Sequence, residues 1–521
     1  MMESNRRKVL WADDEIDMLR SHCLFLKERG YEVTPVSNGE DAIALMRREH
    51  FDIVLLDEMM PGLDGLATVE EVKNQDPNVP VIMITKSEEE RLMDEAIGRR
   101  LDDYLTKPVN PSQIFMACRK ILDSRQIRQN QAGPAYVSQA NQIREWLSGP
   151  QTWHTWIDIH RLLCEWDIEI SRIGEPGLMR MIEDQRRECN QEFARFVERE
   201  YPTWVRSEGD SPPLSVDVVS ENVAPHLRAG KQVFFIVIDC LRLDHWLTVE
   251  PLISEFFNVR RSHYYSILPT ATPYARNALF SGLFPGEIAS KYQKLWSAGN
   301  EDERSLNRHE HRFLDDLIAA QGIELAGSTC YSKILEAGEG RDTARRVDSM
   351  AHFALVALVY NFLDMLVHGR SNSEILREIA PDESAFRSLV QSWFEHSSLF
   401  EVLKKISRMD AVVVLTTDHG AVRGRRATVV HGDRRTSPSL RYKRGRNLRC
   451  DSKDALLIAE PLAYGLPEVG LGGNYLIAKE DFFFVYPKNF REYRRHLKDS
   501  FQHGGISLEE MILPMVTLEP R

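Results

Sequence analysis

The run Val233-Phe234-Phe235-Ile236-Val237-Ile238, closed by Asp239, is the tightest constraint in this chain. An unbroken stretch of β-branched, aromatic and aliphatic residues reads as a strand covered on both faces, which helices packed on either side of a mostly parallel sheet provide. The carboxylate stands where that strand runs out, and open α/β sheets bind ligands at the carboxyl ends of their strands. The pattern recurs at Val412-Val413-Val414-Leu415-Thr416-Thr417, which runs into Asp418-His419-Gly420. Two such tips in one region make a site there worth building.

At 521 residues the chain can hold roughly two to four domains, each with its own core. Its 43% hydrophobic and 28% charged residues are those of a soluble globular protein, and the net charge of −12 argues against a protein that coats nucleic acid along its whole surface. Local basic patches stay open. The seven cysteines are dispersed and form no C-x-x-C pair, which suits a reducing compartment better than a disulfide framework. With no apolar signal core at the N-terminus and no long uninterrupted apolar window, the expectation is a cytoplasmic protein without membrane insertion.

Residues 1–125 alternate strand and helix patterns. Lys8-Val9-Leu10-Trp11-Ala12 ends in Asp13-Asp14-Glu15, Ile53-Val54-Leu55-Leu56 ends in Asp57, Val79 to Ile84 ends in Thr85, and Tyr104-Leu105-Thr106 ends in Lys107-Pro108. This alternation predicts a doubly wound parallel sheet with its strand tips on one edge. Carboxylates, a lysine and a hydroxyl gathered there suit a hard divalent cation and a phosphoryl group.

The segment "FDIVLLDEMMPGLDG", with upstream "ADDE" and downstream "ITK" and "DYLTKP", resembles the response-regulator receiver domains. The resemblance implies that Asp57 is the phosphoacceptor, that Asp13, Asp14, Asp57 and the Met59 carbonyl hold Mg²⁺, and that Thr85, Tyr104 and Lys107 form the switch. A sensor histidine kinase is the partner it implies. Trp11 stands where the family has a small aliphatic residue, so crowding of the acidic pair is expected.

Residues 126–208 begin with a polar, glutamine-rich stretch, Ser124 to Ala140, which reads as a surface linker or a loose helix with Gly133-Pro134 as its breaker. Trp146, Trp153, Trp156, Leu162, Leu163, Trp166 and Ile170 then recur at mostly helical spacings, and Met181, Ile182, Phe193, Phe196 and Val197 follow. A small helical bundle is expected, its tryptophans either core or partner surface. No DNA-recognition helix stands out.

Residues 209–521 open after Gly209-Asp210-Ser211-Pro212-Pro213. Beyond Asp239, Pro269-Thr270-Ala271-Thr272-Pro273 puts hydroxyls before a helix-like run, whose positive end favours an alkoxide and a phosphoryl group. Asp364 and His368, four residues apart, fall on one side of a helix or tight turn, and His503-Gly504-Gly505 lies further on. These residues, with Asp239, Asp418 and His419, can hold two metal ions placed for phosphoryl transfer. Asp/His sets accept Mn²⁺ as well as Zn²⁺.

In this order, and with the flavour "IDCLRLD", "LPTATP" and "LFSG", the set resembles the PglZ branch of the alkaline phosphatase superfamily. The resemblance implies one Zn²⁺ on Asp239, Thr272, Asp418 and His419, and a second on Asp364, His368 and His503. It makes Thr272 the nucleophile, with a phospho-threonine intermediate; Thr270 is the rival hydroxyl. Arg276 and Asn277 are candidates for touching phosphoryl oxygens, or else plain helix-surface residues, and His431 is left outside the ligand set. His309 to Arg346 resembles the cap that the superfamily places over its site. The ten Lys or Arg residues between Arg423 and Arg449, against the single acid Asp433, form either a clamp for a polyanion or a solvated loop.

Receiver, helical segment and PglZ domain together resemble the PorX-type response regulators of Bacteroidetes. What this implies is a zinc phosphatase or phosphodiesterase output acting on nucleotide or oligonucleotide phosphoesters, control of type IX secretion and gliding with secretion or transcription regulators as possible partners, and a homodimer on phosphorylation. The alternative is a catalytically idle, zinc-bound module that relays the signal by protein contact.

Overall fold

The computed structural model describes residues 6–76, 79–86, 101–207, 209–295, 303–432, 437, 439–470, 472–488 and 490–521. It divides into two compact units, Met1–Ser138 with Glu169–Met179, and Gln139–Ile168 with Arg180–Arg521.

In the first unit, β1 (Arg7–Ala12), β2 (Tyr31–Val36), β3 (Ile53–Asp57), β4 (Val81–Thr85) and β5 (Asp103–Thr106) form one sheet in the order β2-β1-β3-β4-β5. All its pairings are parallel. The helices α1 (Arg20–Glu28), α2 (Gly39–Met46) and α3 (Gly65–Gln75) lie between strands. Alternation sends Val9, Trp11, Ile53 and Leu55 into one apolar layer and Leu10, Ala12, Val54 and Leu56 into the other. Trp11 is therefore fully buried in the layer that holds Leu26 and Ile114, its ring edge-on to His22 at 6.3 Å. It fills core rather than crowding the acids.

Three long helices follow: α4 (Pro111–Ser148), α5 (Trp153–Ile173) and α6 (Pro176–Val205). The expected break at Gly133-Pro134 is absent, and Pro134 sits inside α4. The buried positions Ala132, Tyr136, Ala140 and Ile143 keep helical spacing across it. Burying that stripe offsets the one backbone hydrogen bond a proline removes. Trp156 is core, 5.3 Å from Phe193 of α6 by ring centroids.

The second unit is built on a six-stranded sheet. The strands of the unit, in this and three smaller sheets, are β6 (Gln232–Ile238), β7 (Phe257–Tyr265), β8 (Thr329–Ile334), β9 (Leu355–Tyr360), β10 (Ala411–Thr416), β11 (Val422–Gly424), β12 (Arg426–Val429), β13 (Tyr442–Arg446), β14 (Ala455–Ile458), β15 (Gly473–Ala478), β16 (Phe482–Val485), β17 (Ser500–Gln502) and β18 (Ile512–Pro520). The order of the main sheet is β7-β18-β10-β6-β9-β8, with β10, β6, β9 and β8 parallel and β18 antiparallel to its neighbours. β6, β9 and β10 are buried along nearly their whole lengths, as their sequences predict. Their carboxyl ends align, because Thr416 pairs with Val237 and Ile238 with Tyr360. Five further helices matter below: α7 (Leu243–Ile253), α8 (Thr272–Ser281), α9 (Glu310–Ala320), α10 (Phe362–Asn372) and α11 (Phe490–Leu497).

The stretch expected to cap the site is part of the scaffold. Within His309 to Arg346 lie α9 and β8, the latter an edge strand of the main sheet. Its sequence, Thr-Cys-Tyr-Ser-Lys-Ile, is half-buried except at the last position, so it lacks the apolar run of a central strand. No described helix is long and apolar enough to cross a membrane.

Candidate active site

Three strand tips meet at one point of the second unit. Asp239 leaves β6, Asp418 and His419 follow β10, and Asp364 and His368 stand on α10 just past β9. Thr272 opens α8, and His503 follows β17. The imidazole of His419 lies at the centre: its Nε2 is 2.9 Å from Thr272 Oγ1, 3.5 Å from Asp239 Oδ1 and 3.7 Å from Asp418 Oδ2. Its ring stacks on His503 at 4.2 Å between centroids. His503 Nε2 in turn lies 3.5 Å from Asp364 Oδ1 and 3.2 Å from His368 Nε2. His368 Nε2 is 3.4 Å from Asp364 Oδ1, with the imidazole half exposed.

These donors fall into two overlapping groups, Asp239/Asp418/His419 and Asp364/His419/His503, each with its donor atoms within 4.8 Å of one another. Asp239 Oδ1, Asp418 Oδ2 and Asp364 Oδ1 are buried without a hydrogen-bond partner. Burial followed by the charge of Asp418 pushes the Asp239 carboxyl well up, despite Arg276 beside it. Burial also acts on Asp364, but His368 and His503 outweigh it and hold that carboxyl below its usual range. Burial and the neighbouring His419 hold the His503 imidazole down. Buried carboxylate oxygens that face imidazoles and accept no hydrogen bond fit divalent cations, which repay the desolvation that an unpaired acid would not survive.

The loops are fixed from behind. His419 Nδ1 lies 3.0 Å from the Gly420 carbonyl; donating there turns the Nε2 lone pair toward Thr272 and the carboxylates. Cys240 takes φ +68° to turn the chain beyond Asp239, and the Leu241 amide donates to Thr417 Oγ1 at 3.0 Å. Ser266 Oγ donates to the Asp418 carbonyl at 2.8 Å.

The two hydroxyls separate cleanly. Thr270 is fully buried and committed, its Oγ1 donating to the Gly505 carbonyl at 2.8 Å and accepting from the Gly504 amide at 3.2 Å. It braces the loop that presents His503. Thr272, half-buried at the first turn of α8, faces His419 instead.

Arg276 and Asn277 do not reach outward to a phosphoryl group. Arg276, 1% exposed, donates through Nη1 to Asp239 Oδ2 at 2.5 Å and through Nε to Glu310 Oε1 at 2.6 Å. Asn277 is fully buried, and its amide donates back to the Pro273 carbonyl at 2.8 Å. Both sit on the inner face of α8, where every residue after Thr272 is buried. Asn361 shares the task of Arg276, donating to Asp239 Oδ2 at 2.6 Å. Glu310 also accepts from Asn307 Nδ2 at 2.7 Å and from Tyr331, with Lys333 Nζ at 3.9 Å. This buttress escapes sequence reasoning, since Glu310 and Lys333 lie in charged stretches that look like surface. An Asn directly after the β9 run was the one visible signal.

Four cations of the basic run are committed to ion pairs. Arg423 pairs with Asp499, Arg425 with Glu183, Arg426 with Glu480 and Asp481, and the fully buried Arg441 with Glu510. At these positions the clamp reading gives way to structural ion pairs. Residues 433–436 and 438 of the run, Asp433 among them, lie outside the described residues. His431 is exposed and joins neither metal-capable group.

In the first unit, Asp13, Asp14 and Asp57 form a third metal-capable group. Lys107 Nζ bridges Asp57 Oδ1 at 2.7 Å and Asp13 Oδ2 at 3.3 Å. Burial raises the Asp57 carboxyl above its usual range against the pull of Lys107. Thr85 ends β4 and donates to Glu58 Oε2 at 2.5 Å, while Tyr104 is half-buried on β5 opposite Met83. Met59 stands in the loop after β3 with its side chain exposed.

Family models match nearly the whole chain in series. Residues 9–119 match the response regulator receiver domain, 126–205 the PorX response regulator linker domain, and 218–518, more than half the chain, the BREX system PglZ alkaline phosphatase-like domain. The chain belongs to the PorX-type response regulators. As a PorX-type regulator it joins a receiver to a domain of the alkaline phosphatase superfamily. Members of both domain families bind divalent metals.

Curated relatives share one part of it. A probable transcriptional regulator, ycf27, of Cyanophora paradoxa is 37% identical over 123 residues, 23% of this chain and 50% of that protein. The transcriptional regulatory protein ResD of Bacillus subtilis is 31% identical over 122 residues, again 23% and 50%. The chain thus spans about half the length of the curated relatives it matches. Among solved structures, a CheY-like receiver domain protein from Methanospirillum hungatei is 28% identical, covering 23% of this chain and 96% of its own, with a TM-score of 0.22. The Thermotoga maritima regulator TrrA, in complex with Mg²⁺-BeF, is 28% identical over 22% of this chain and 99% of its own, with a TM-score of 0.21.

Proposed function

We propose that the PglZ unit is a two-zinc phosphatase or phosphodiesterase acting on nucleotide or oligonucleotide phosphoesters, with Thr272 as nucleophile, and that the receiver controls it through phosphorylation of Asp57. The observation that carries this reading is the convergence on His419 Nε2 of a hydroxyl and two buried carboxylates, each with an oxygen that no hydrogen bond satisfies. A scaffold has no use for an exposed-side hydroxyl at that point. Asp239, Thr272, Asp418 and His419 would hold one ion, and Asp364, His368 and His503 the other. Bound there, such ions lower the pKa of a hydroxyl and offset charge on phosphoryl oxygens.

The chain's own residues do the rest. Thr272 Oγ1 attacks phosphorus and the ester oxygen departs, leaving a phospho-threonine that water hydrolyses. The N-terminus of α8 points its positive end at the transferred group. Lys333, partly exposed beside Glu310, adds a nearby cation. The test is hydrolysis of a chromogenic phosphodiester and phosphomonoester by the zinc-loaded chain beside Thr272→Val, with metal content measured. Activity lost in a variant that keeps its metal supports the nucleophile. If the metal-loaded chain cleaves neither ester nor any nucleotide, the idle relay module takes its place.

In the receiver, a sensor histidine kinase would supply the phosphoryl group to Asp57, with Mg²⁺ on Asp13, Asp14, Asp57 and the Met59 carbonyl. Lys107 would hold the phosphoryl oxygens while Thr85 and Tyr104 shift, favouring a dimer and changing access to the output. Light scattering with a beryllium fluoride mimic should show the mass double; an unchanged mass would remove the dimer step. The setting this fits is a cytoplasmic regulator of type IX secretion and gliding.

A further inference from the structure

In the run from Arg423, four guanidinium groups, those of Arg423, Arg425, Arg426 and Arg441, are spent on Asp499, Glu183, Glu480 and Glu510, while Arg446 and Arg449 stay exposed. Helix α11 is a second cationic surface. Arg491, Arg494, Arg495 and Lys498 recur at i, i+3, i+4 and i+7, so they form one stripe, and each is exposed. None of them makes an ion pair among the described residues, and the only acid in the helix is Glu492. Lys488 precedes the stripe, and Tyr493 keeps 49% of its surface exposed beside it. In a chain of net charge −12, unpaired cations held this close together cost self-repulsion and call for an anionic occupant.

The helix is tied to the rim of the metal site. Asp499 follows directly after the stripe, and its carbonyl accepts from Arg370 Nη1 at 2.7 Å; Arg370 lies on α10 two residues beyond His368. β17 then carries the chain straight from Asp499 to His503. His368, half exposed, is the open side of that site.

We infer that α11 docks the phosphate backbone of a single-stranded oligonucleotide, holding the part of the substrate that extends beyond the ester being cleaved. This rests on the phosphoesterase reading above. The arginines contact successive phosphates, and the Tyr493 ring offers a face on which a base stacks. Charge complementarity selects this occupant, since the repeating charge of a polyanion matches a repeating stripe and the metal site accepts the same phosphate group.

The test compares the full zinc-loaded chain with Arg491→Gln/Arg494→Gln/Arg495→Gln. Two quantities are read: kcat/KM on a fluorescent single-stranded DNA decamer relative to kcat/KM on a chromogenic diester, and decamer affinity by fluorescence anisotropy across salt concentrations in a Thr272→Val background. The inference expects the kinetic ratio to fall by at least about tenfold. It also expects the slope of log affinity against log salt to flatten by about two, since each single-strand phosphate contact contributes about 0.7. An unchanged ratio with an unchanged salt slope overturns it. So does a variant that binds the decamer as before but loses binding to phosphatidylserine vesicles, which would make α11 a membrane-surface helix. Should the wild type cleave no ester at all, the phosphoesterase reading fails, while the anisotropy arm still decides the docking.

Discussion

Replacing Arg276 by Met probes the part of the site that no sequence motif announces. The substitution keeps the length and apolar stem of the side chain but strips the cation from Asp239, 2.5 Å away, and from Glu310, 2.6 Å away. Breaking a fully buried ion pair by removing one partner costs about 3–5 kcal/mol, because the remaining charge stays desolvated. Here the loss belongs at the lower end, about 3 kcal/mol. Asn361 still donates to Asp239, and Asn307 and Tyr331 still donate to Glu310. A stranded Asp239 would take up a proton rather than remain charged, because burial and Asp418 already push its carboxyl up. The folded variant then holds a proton at Asp239 more tightly than the wild type does, so its deficit grows as pH rises above the carboxyl's unfolded pKa, by at most about 1.4 kcal/mol per unit. Urea unfolding in chelator at pH 6 and pH 8 measures both quantities. Saturating zinc should shrink the deficit by supplying the missing cation beside Asp239. A loss below about 1 kcal/mol that is the same at both pH values would refute the view that Arg276 is held there to neutralise Asp239 and Glu310.

Thr270→Val should destabilise by about 2 kcal/mol, as two buried backbone partners lose their hydroxyl. It should also weaken metal binding at the His503 side, whereas Thr272→Val, which removes one expected ligand of the other ion, keeps the fold's stability and the His503-side ion; melting curves and metal analysis of the two variants check this. Chelation should lower the melting temperature of the PglZ unit by a few degrees, since an ion at a hundred times its Kd adds about 2.7 kcal/mol; identical melts with and without chelator would argue against preformed sites. His160 and His245 are held by burial at pKa values of about 3. They are neutral when folded and charge on unfolding, so stability falls with pH below about 6.5 at roughly 1.4 kcal/mol per unit for each. Proton uptake on unfolding at pH 5, reduced in His160→Gln, measures it.

The chain's local chemistry was enough to place the strands and their tips. β6, β9 and β10 are uninterrupted apolar runs because both faces are covered, and a carboxylate after such a run can only sit at the sheet edge. The receiver residues were legible for the same reason, and Asp13, Asp57 and Lys107 meet within hydrogen-bonding distance. Helical spacing likewise foretold Asp364 and His368 on one face of α10.

What lay beyond reach depended on partners distant in sequence. Whether Arg276 faces substrate or core is decided by Glu310, 34 residues away, and by the inward face of α8. Thr270 and Thr272 are equivalent as residue types; the family resemblance favoured Thr272, and the return of Gly505 to Thr270 and of His419 to Thr272 shows how differently the two are surrounded. Composition marked the run from Arg423 as the cationic surface, yet acids from four other segments take up Arg423, Arg425, Arg426 and Arg441, while the shorter stripe on α11 keeps its charge. β8 passed for part of a cap because an edge strand carries polar residues on its uncovered side. Periodicity and strand-end chemistry are local and survive in the sequence; which charge is neutralised, and which hydroxyl is free to react, is fixed by long-range pairing that only the folded chain brings about.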